Sequence, residues 1–153
     1  MLKIGETIPA FTLPIQGDVS VTIPTGKPMV LYFYPKDDTP GCTIEAKEFT
    51  EFKSQFSEIG VEIFGMSPDT TKKHDKFVDK HELAISLISD ESKTILGSYG
   101  VWAEKSMYGR TYMGVERTTL LIDAKGIIVE VWQKVKVKGH VEAVLEKAKT
   151  HFG

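Results

Sequence analysis

Met29-Val30-Leu31-Tyr32-Phe33-Tyr34-Pro35-Lys36-Asp37-Asp38-Thr39-Pro40-Gly41-Cys42-Thr43-Ile44-Glu45 is the stretch from which the rest of the chain can be read. Its apolar opening reads as a buried strand. Beyond it, Cys42, Ala46, Phe49, Phe52, Phe56 and Ile59 recur at helical spacing and form one apolar stripe. The predicted helix covers about 41–58, with Gly60 as its C-terminal cap. The junction is specified locally. A residue before proline is pushed into extended backbone, threonine is a good N-cap, and proline suits the first helical position. Thr39 and Pro40 therefore set the helix start and put Cys42 in its first turn. There, free amides and the positive end of the helix dipole favour a sulfur anion.

Cys42 is the single cysteine of the chain. A lone cysteine on an apolar stripe has a plain use as a small buried hydrophobe. A core cysteine has no need of the Pro/Thr/Pro/Gly frame, which points instead to a reactive sulfur. One cysteine excludes an intramolecular disulfide, a Cys-x-x-Cys redox pair and a multi-cysteine zinc site. It suits a reducing compartment, so a cytoplasmic location is expected. The chain begins without an apolar signal-peptide core, and no apolar run approaches the length of a membrane span. At 153 residues, one domain is expected over 1–153. A net charge of −2 without a basic block speaks against nucleic acid as a partner.

On either side, strands and helices alternate. Phe11-Thr12-Leu13 and 19–23 read as an N-terminal β-hairpin around Gln16-Gly17-Asp18, limited to a sheet edge by prolines. A strand is expected at 61–66, then a helix capped by Asp69, whose His74 and His81 are expected at the surface. Residues 84–88 read as a strand. Ser89 and Asp90 are expected to cap a short helix through Tyr99. Residues 103–116 show no clear period. They read as a loop, either an interaction surface or mobile cover, or else packing its Met and Tyr side chains over the domain edge. Strands at 117–122 and 127–132 flank a turn at 123–126, and a last helix starts near Gly139. The alternation gives an α/β class without choosing among α/β folds.

Pro35, Thr39 and Cys42 match the Pro-x-x-x-Thr-x-x-Cys motif of the peroxiredoxins. The run from Tyr34 to Thr43 resembles the bacterioferritin-comigratory-protein, or peroxiredoxin Q, branch. So do 87–90, 99–102 and 105–114, and the likeness spans nearly the whole chain. The resemblance implies a thioredoxin-like fold with the N-terminal β-hairpin as an extension. It implies a thiol-dependent peroxidase acting on hydrogen peroxide and organic hydroperoxides, with no metal, haem or flavin cofactor.

Within that resemblance, Cys42 is the attacking sulfur and passes through a sulfenic acid. Thr39 offers a hydroxyl to the peroxide, Pro35 shields the sulfur, and Arg117 supplies a fixed charge at a strand start. Glu45 orients Arg117. Lys36, Asp37 and Asp38 are expected to be loop surface. Many members of the branch carry a second cysteine five residues on, where this chain has Lys47. An external thiol reductant, such as thioredoxin, glutaredoxin or a small thiol, is therefore implied, with a monomer or weak homodimer. The missing cysteine also leaves open a redox sensor that oxidises once and joins a partner.

Overall fold

The computed structural model describes residues 2–153. Nine strands and four α-helices follow in chain order: β1 (Phe11–Ile15), β2 (Val19–Ile23), β3 (Met29–Phe33), α1 (Pro40–Glu58), β4 (Glu62–Ser67), α2 (Thr71–His81), β5 (Ser86–Ser89), α3 (Thr94–Ser98), β6 (Trp102–Met107), β7 (Arg110–Val115), β8 (Thr118–Ile122), β9 (Ile128–Trp132) and α4 (His140–Phe152). Seven strands form one sheet, in the order β2-β1-β5-β4-β3-β8-β9. β3 lies near its middle, parallel to β4 and antiparallel to β8. All five β3 residues are buried, as a strand covered on both faces requires. Alternation sends Val30 and Tyr32 into a core shared with α1, α2 and α4. Met29, Leu31 and Phe33 enter the opposite core, closed by Leu96 and Tyr99. The sulfur-bearing stripe of α1 packs as read: Cys42, Ala46, Phe49 and Phe56 are buried, and Phe52 and Ile59 partly so.

The ends of α1 follow their local chemistry. Thr39 is extended, at φ −96° and ψ 156°, and Pro40 is the first helical residue. At the other end Gly60 is left-handed. Its amide and that of Val61 close onto Ser57 and Phe56, the paired bonds of a Schellman cap. The N-terminal hairpin also forms as expected, with β2 at the sheet edge.

Three expectations about the secondary structure need correction. Residues 103–116 are not an irregular loop: they hold most of the two-stranded β6–β7 hairpin, paired from Trp102↔Val115 to Met107↔Arg110. Met107, Tyr108, Tyr112 and Met113 remain exposed there, so they do not pack over the domain edge. The cap of α2 is Thr70, whose hydroxyl accepts from the Lys73 amide. Asp69 instead accepts from the Asp37 amide and the Ser67 hydroxyl. Finally, α3 starts at Thr94 behind Lys93. Asp90 holds the Leu96 amide from a distance of six residues, and the Ser89 hydroxyl bonds the Asp69 carbonyl.

Candidate active site

The sulfur sits where β3 hands over to α1. Cys42 lies in the first turn, where helix geometry leaves backbone amides without partners four residues back. Its side chain is only 2% exposed. Arg117, immediately before β8, reaches across from the neighbouring strand. Its Nη2 donates to Cys42 Sγ at 3.2 Å, and its Nη1 donates to Glu45 Oε1 at 2.7 Å. One guanidinium thus bridges the sulfur and a carboxyl one helical turn later, using the planar fork that lysine lacks. Burial works against the arginine's charge. The Cys42 and Glu45 charges and hydrogen bonds more than offset it, so the group holds its proton more tightly than free arginine.

Glu45 is fully buried. Burial pushes its carboxyl up to about 7 even though Arg117 pulls the other way, with Glu48 adding to the rise. The reason lies in the geometry. Oε1 has its arginine, whereas Oε2 is buried with no protein hydrogen-bond partner. The nearest cationic candidate, His140 Nε2, is 4.0 Å away and bonds Thr119 Oγ1 at 2.8 Å instead. His140 is itself buried, and burial, then the positive Arg117, pushes it down to about 4.

The remaining motif residues take less direct places. The Thr39 hydroxyl makes no capping bond and donates to the Lys36 carbonyl at 2.9 Å, while its own carbonyl accepts from the Thr43 amide. Pro35 is half-buried in the same loop. Lys36 and Asp38 are at the surface as expected, and Asp38 pairs with Lys80 and His81. His81 and Lys80 together hold its carboxyl below the usual range. Asp37 is not at the surface. It is buried and contacts His74, which is buried too. Both residues were expected outside because nothing in their spacing shows that they meet. Gly41 gives no sign of its role in the sequence: a Cβ there would lie 3.3 Å from Arg117 Nη2, so glycine leaves room for the guanidinium. Lys47 is exposed on α1.

The hairpin stands beside this centre. Lys105 of β6 has its pKa lowered, by burial first and then by the charge of Arg117, with Glu116 and Cys42 opposing. Among the described residues, no group of three or more His, Cys, Asp and Glu side chains has the makings of a metal site. No described helix is long and apolar enough to cross a membrane.

Known proteins resemble this chain in sequence and in fold. The AhpC/TSA family model matches residues 4–131. A Bacillus subtilis protein, peroxiredoxin Bcp, is 43% identical over 152 residues, covering 97% of this chain and 96% of its own. A cysteine-to-serine mutant of peroxiredoxin Q from Xylella fastidiosa superposes with a TM-score of 0.93 at 39% identity, covering 99% of this chain and 98% of that one. The Xanthomonas campestris bacterioferritin comigratory protein, solved as trapped intermediate and ligand complexes bearing on alkyl peroxide reduction, gives a TM-score of 0.89. It is 39% identical and covers 94% of this chain and 92% of its own. The thioredoxin-like fold is therefore shared with these structures, and the chain belongs to the AhpC/TSA family, in the peroxiredoxin Bcp branch of thiol-dependent peroxidases.

Proposed function

We propose that Cys42 is the peroxide-reducing sulfur and that an external thiol restores it. The observation that carries this reading is the 3.2 Å hydrogen bond from Arg117 Nη2 to the only sulfur nucleophile, at the start of a helix. A charge-assisted donor stabilises an anionic sulfur. In the reaction the Cys42 thiolate attacks one peroxide oxygen, an S–O bond forms and the O–O bond breaks. The departing oxygen takes a proton and leaves as water or an alcohol, and the sulfur is oxidised to a sulfenic acid. Arg117 and the amides of the first helical turn face the charge that moves onto the departing oxygen. Thr39 and Pro35 shape the loop beside the sulfur, and Glu45 holds the second arm of Arg117.

With Lys47 where a second cysteine would stand, the sulfenic acid has no internal partner. A thiol from outside displaces water to give a mixed disulfide. A second thiol then releases Cys42 and leaves as the oxidised disulfide. Hydrogen peroxide and alkyl hydroperoxides are the proposed substrates, the latter in keeping with the Xanthomonas relative. Peroxide consumption with thioredoxin, glutaredoxin or a small thiol as reductant tests the reading. Many turnovers per chain are expected, and none in C42S. Turnover retained in C42S would overturn it, and a single peroxide consumed per chain with every reductant would make the protein a sensor.

A further inference from the structure

We propose that Asp37 and His74 are positioning residues for the peroxide site: a buried, proton-sharing pair that fixes the loop carrying Pro35 and Thr39. The proposal rests on the reading of Cys42 as the reacting sulfur. His74 is fully buried on α2, and Asp37 is buried in the loop between β3 and α1. His74 Nε2 lies 3.1 Å from the Ile88 carbonyl, which can only accept, so Nε2 carries a hydrogen. Nδ1 lies 2.6 Å from Asp37 Oδ2. One proton occupies that contact, on nitrogen or on oxygen. Either way the pair is neutral overall and both ring nitrogens are satisfied. Asp37 Oδ1 accepts from the Tyr34 hydroxyl at 2.5 Å. Tyr34 keeps its proton, since burial and then Asp37 raise its pKa well above the ordinary value. The Asp37 amide donates to Asp69 Oδ2 at 2.8 Å.

Asp37 is thereby fastened to the end of β3 through Tyr34, to α2 through His74, to β5 through the Ile88 carbonyl, and to the β4–α2 turn through Asp69. Such a tie stabilises any loop. This loop is the one whose placement the chemistry needs. Thr39 follows two residues later, its hydroxyl held by the Lys36 carbonyl, and it is the N-cap of the helix that presents Cys42. The exposed neighbour Asp38 pairs with Lys80 and the partly buried His81, outside this cluster. The buried pair is therefore the loop's fixed point.

The test times single-turnover oxidation of Cys42 by hydrogen peroxide against its alkylation by iodoacetamide. Asp37→Ala removes the carboxylate's contacts with Tyr34 and His74 and leaves only the Asp37 amide's bond to Asp69. It is expected to slow the peroxide reaction about 10- to 100-fold, the scale of an ångström-sized misplacement, while alkylation changes little. Asp37→Asn keeps both contacts, since its oxygen accepts from Tyr34 and its NH2 donates to Nδ1 of neutral His74. It is expected to keep most of the wild-type rate. Wild-type speed in folded D37A, or equal losses with both reagents, would overturn the proposal. If D37A does not fold, Tyr34→Phe decides: a peroxide-specific slowing supports the tie, and no slowing overturns it. A slow wild-type protein would count against Cys42 itself, a separate failure.

Discussion

Glu45→Gln is expected to change how the protein responds to acid, by an amount set by two buried groups that titrate against each other. The Glu45 carboxyl is held up to about 7 in the folded chain, against an ordinary 4.5. Folding then binds a proton between those values. Its stabilising contribution is fully present below pH 4.5 and is lost as pH rises through about 7. At about 1.4 kcal/mol per pH interval of one, the change amounts to about 3 kcal/mol. His140 works in the opposite sense, pushed down to about 4 from 6.5. Its contribution is present above pH 6.5 and lost as pH falls through about 4, about 3 kcal/mol by the same arithmetic. In the native sequence the two slopes largely cancel across the shared window. Urea unfolding of the reduced protein at pH 4.5, 6 and 7.5, for wild type and E45Q, measures the difference. E45Q, relative to wild type, is expected to be about 3 kcal/mol worse off at the acid end than at pH 7.5, because only the His140 slope remains. His140→Gln should show the mirror image, gaining stability on acidification. A wild-type-minus-E45Q difference independent of pH would refute the reasoning, since the carboxyl would then not be held protonated by burial.

Other outcomes follow from the same geometry. Arg117→Ala is expected to slow single-turnover oxidation of Cys42 by about 100-fold or more, the usual effect of removing a transition-state donor, with Arg117→Lys recovering only part of it. Stopped-flow mixing with hydrogen peroxide checks this; unchanged rates would remove Arg117 from the mechanism. Gly41→Ala puts a methyl 3.3 Å from Arg117 Nη2 and should slow the same reaction severalfold without loss of stability. Gly65→Ala would place its Cβ 2.8 Å from Tyr32 Cζ and 3.0 Å from Leu87 Cδ2. In a core already packed on both sides, it should cost about 1–3 kcal/mol in urea unfolding.

The part of the molecule written into local chemistry was legible in the sequence. The strand at 29–33, Thr39 and Pro40 at the helix start, the apolar stripe of α1 and the Gly60 cap each rest on neighbours a few residues apart. The Cys42–Arg117–Glu45 cluster joins residues 75 and 72 apart. Only the family resemblance brought Arg117 to the sulfur, because no periodicity spans such a distance. The misses have the same cause. His74 looked like one more polar residue on a lysine-rich helix, and only the fold brings it to Asp37, 37 residues earlier. The β6–β7 hairpin was hidden because both strands are largely exposed, so neither shows the alternation that burial imposes. At α2, Asp69 and Thr70 are both good caps. The Asp37 amide and Ser67 hydroxyl, invisible in the sequence, engage the aspartate and leave the threonine to cap.

The most direct test of the account is single-turnover oxidation of the reduced protein by hydrogen peroxide, followed by intact mass and sulfenic-acid trapping. Fast gain of one oxygen located at Cys42 is expected, persisting until an external thiol is added. Oxidation no faster than that of an ordinary thiol, or oxygen found elsewhere than Cys42, would contradict it.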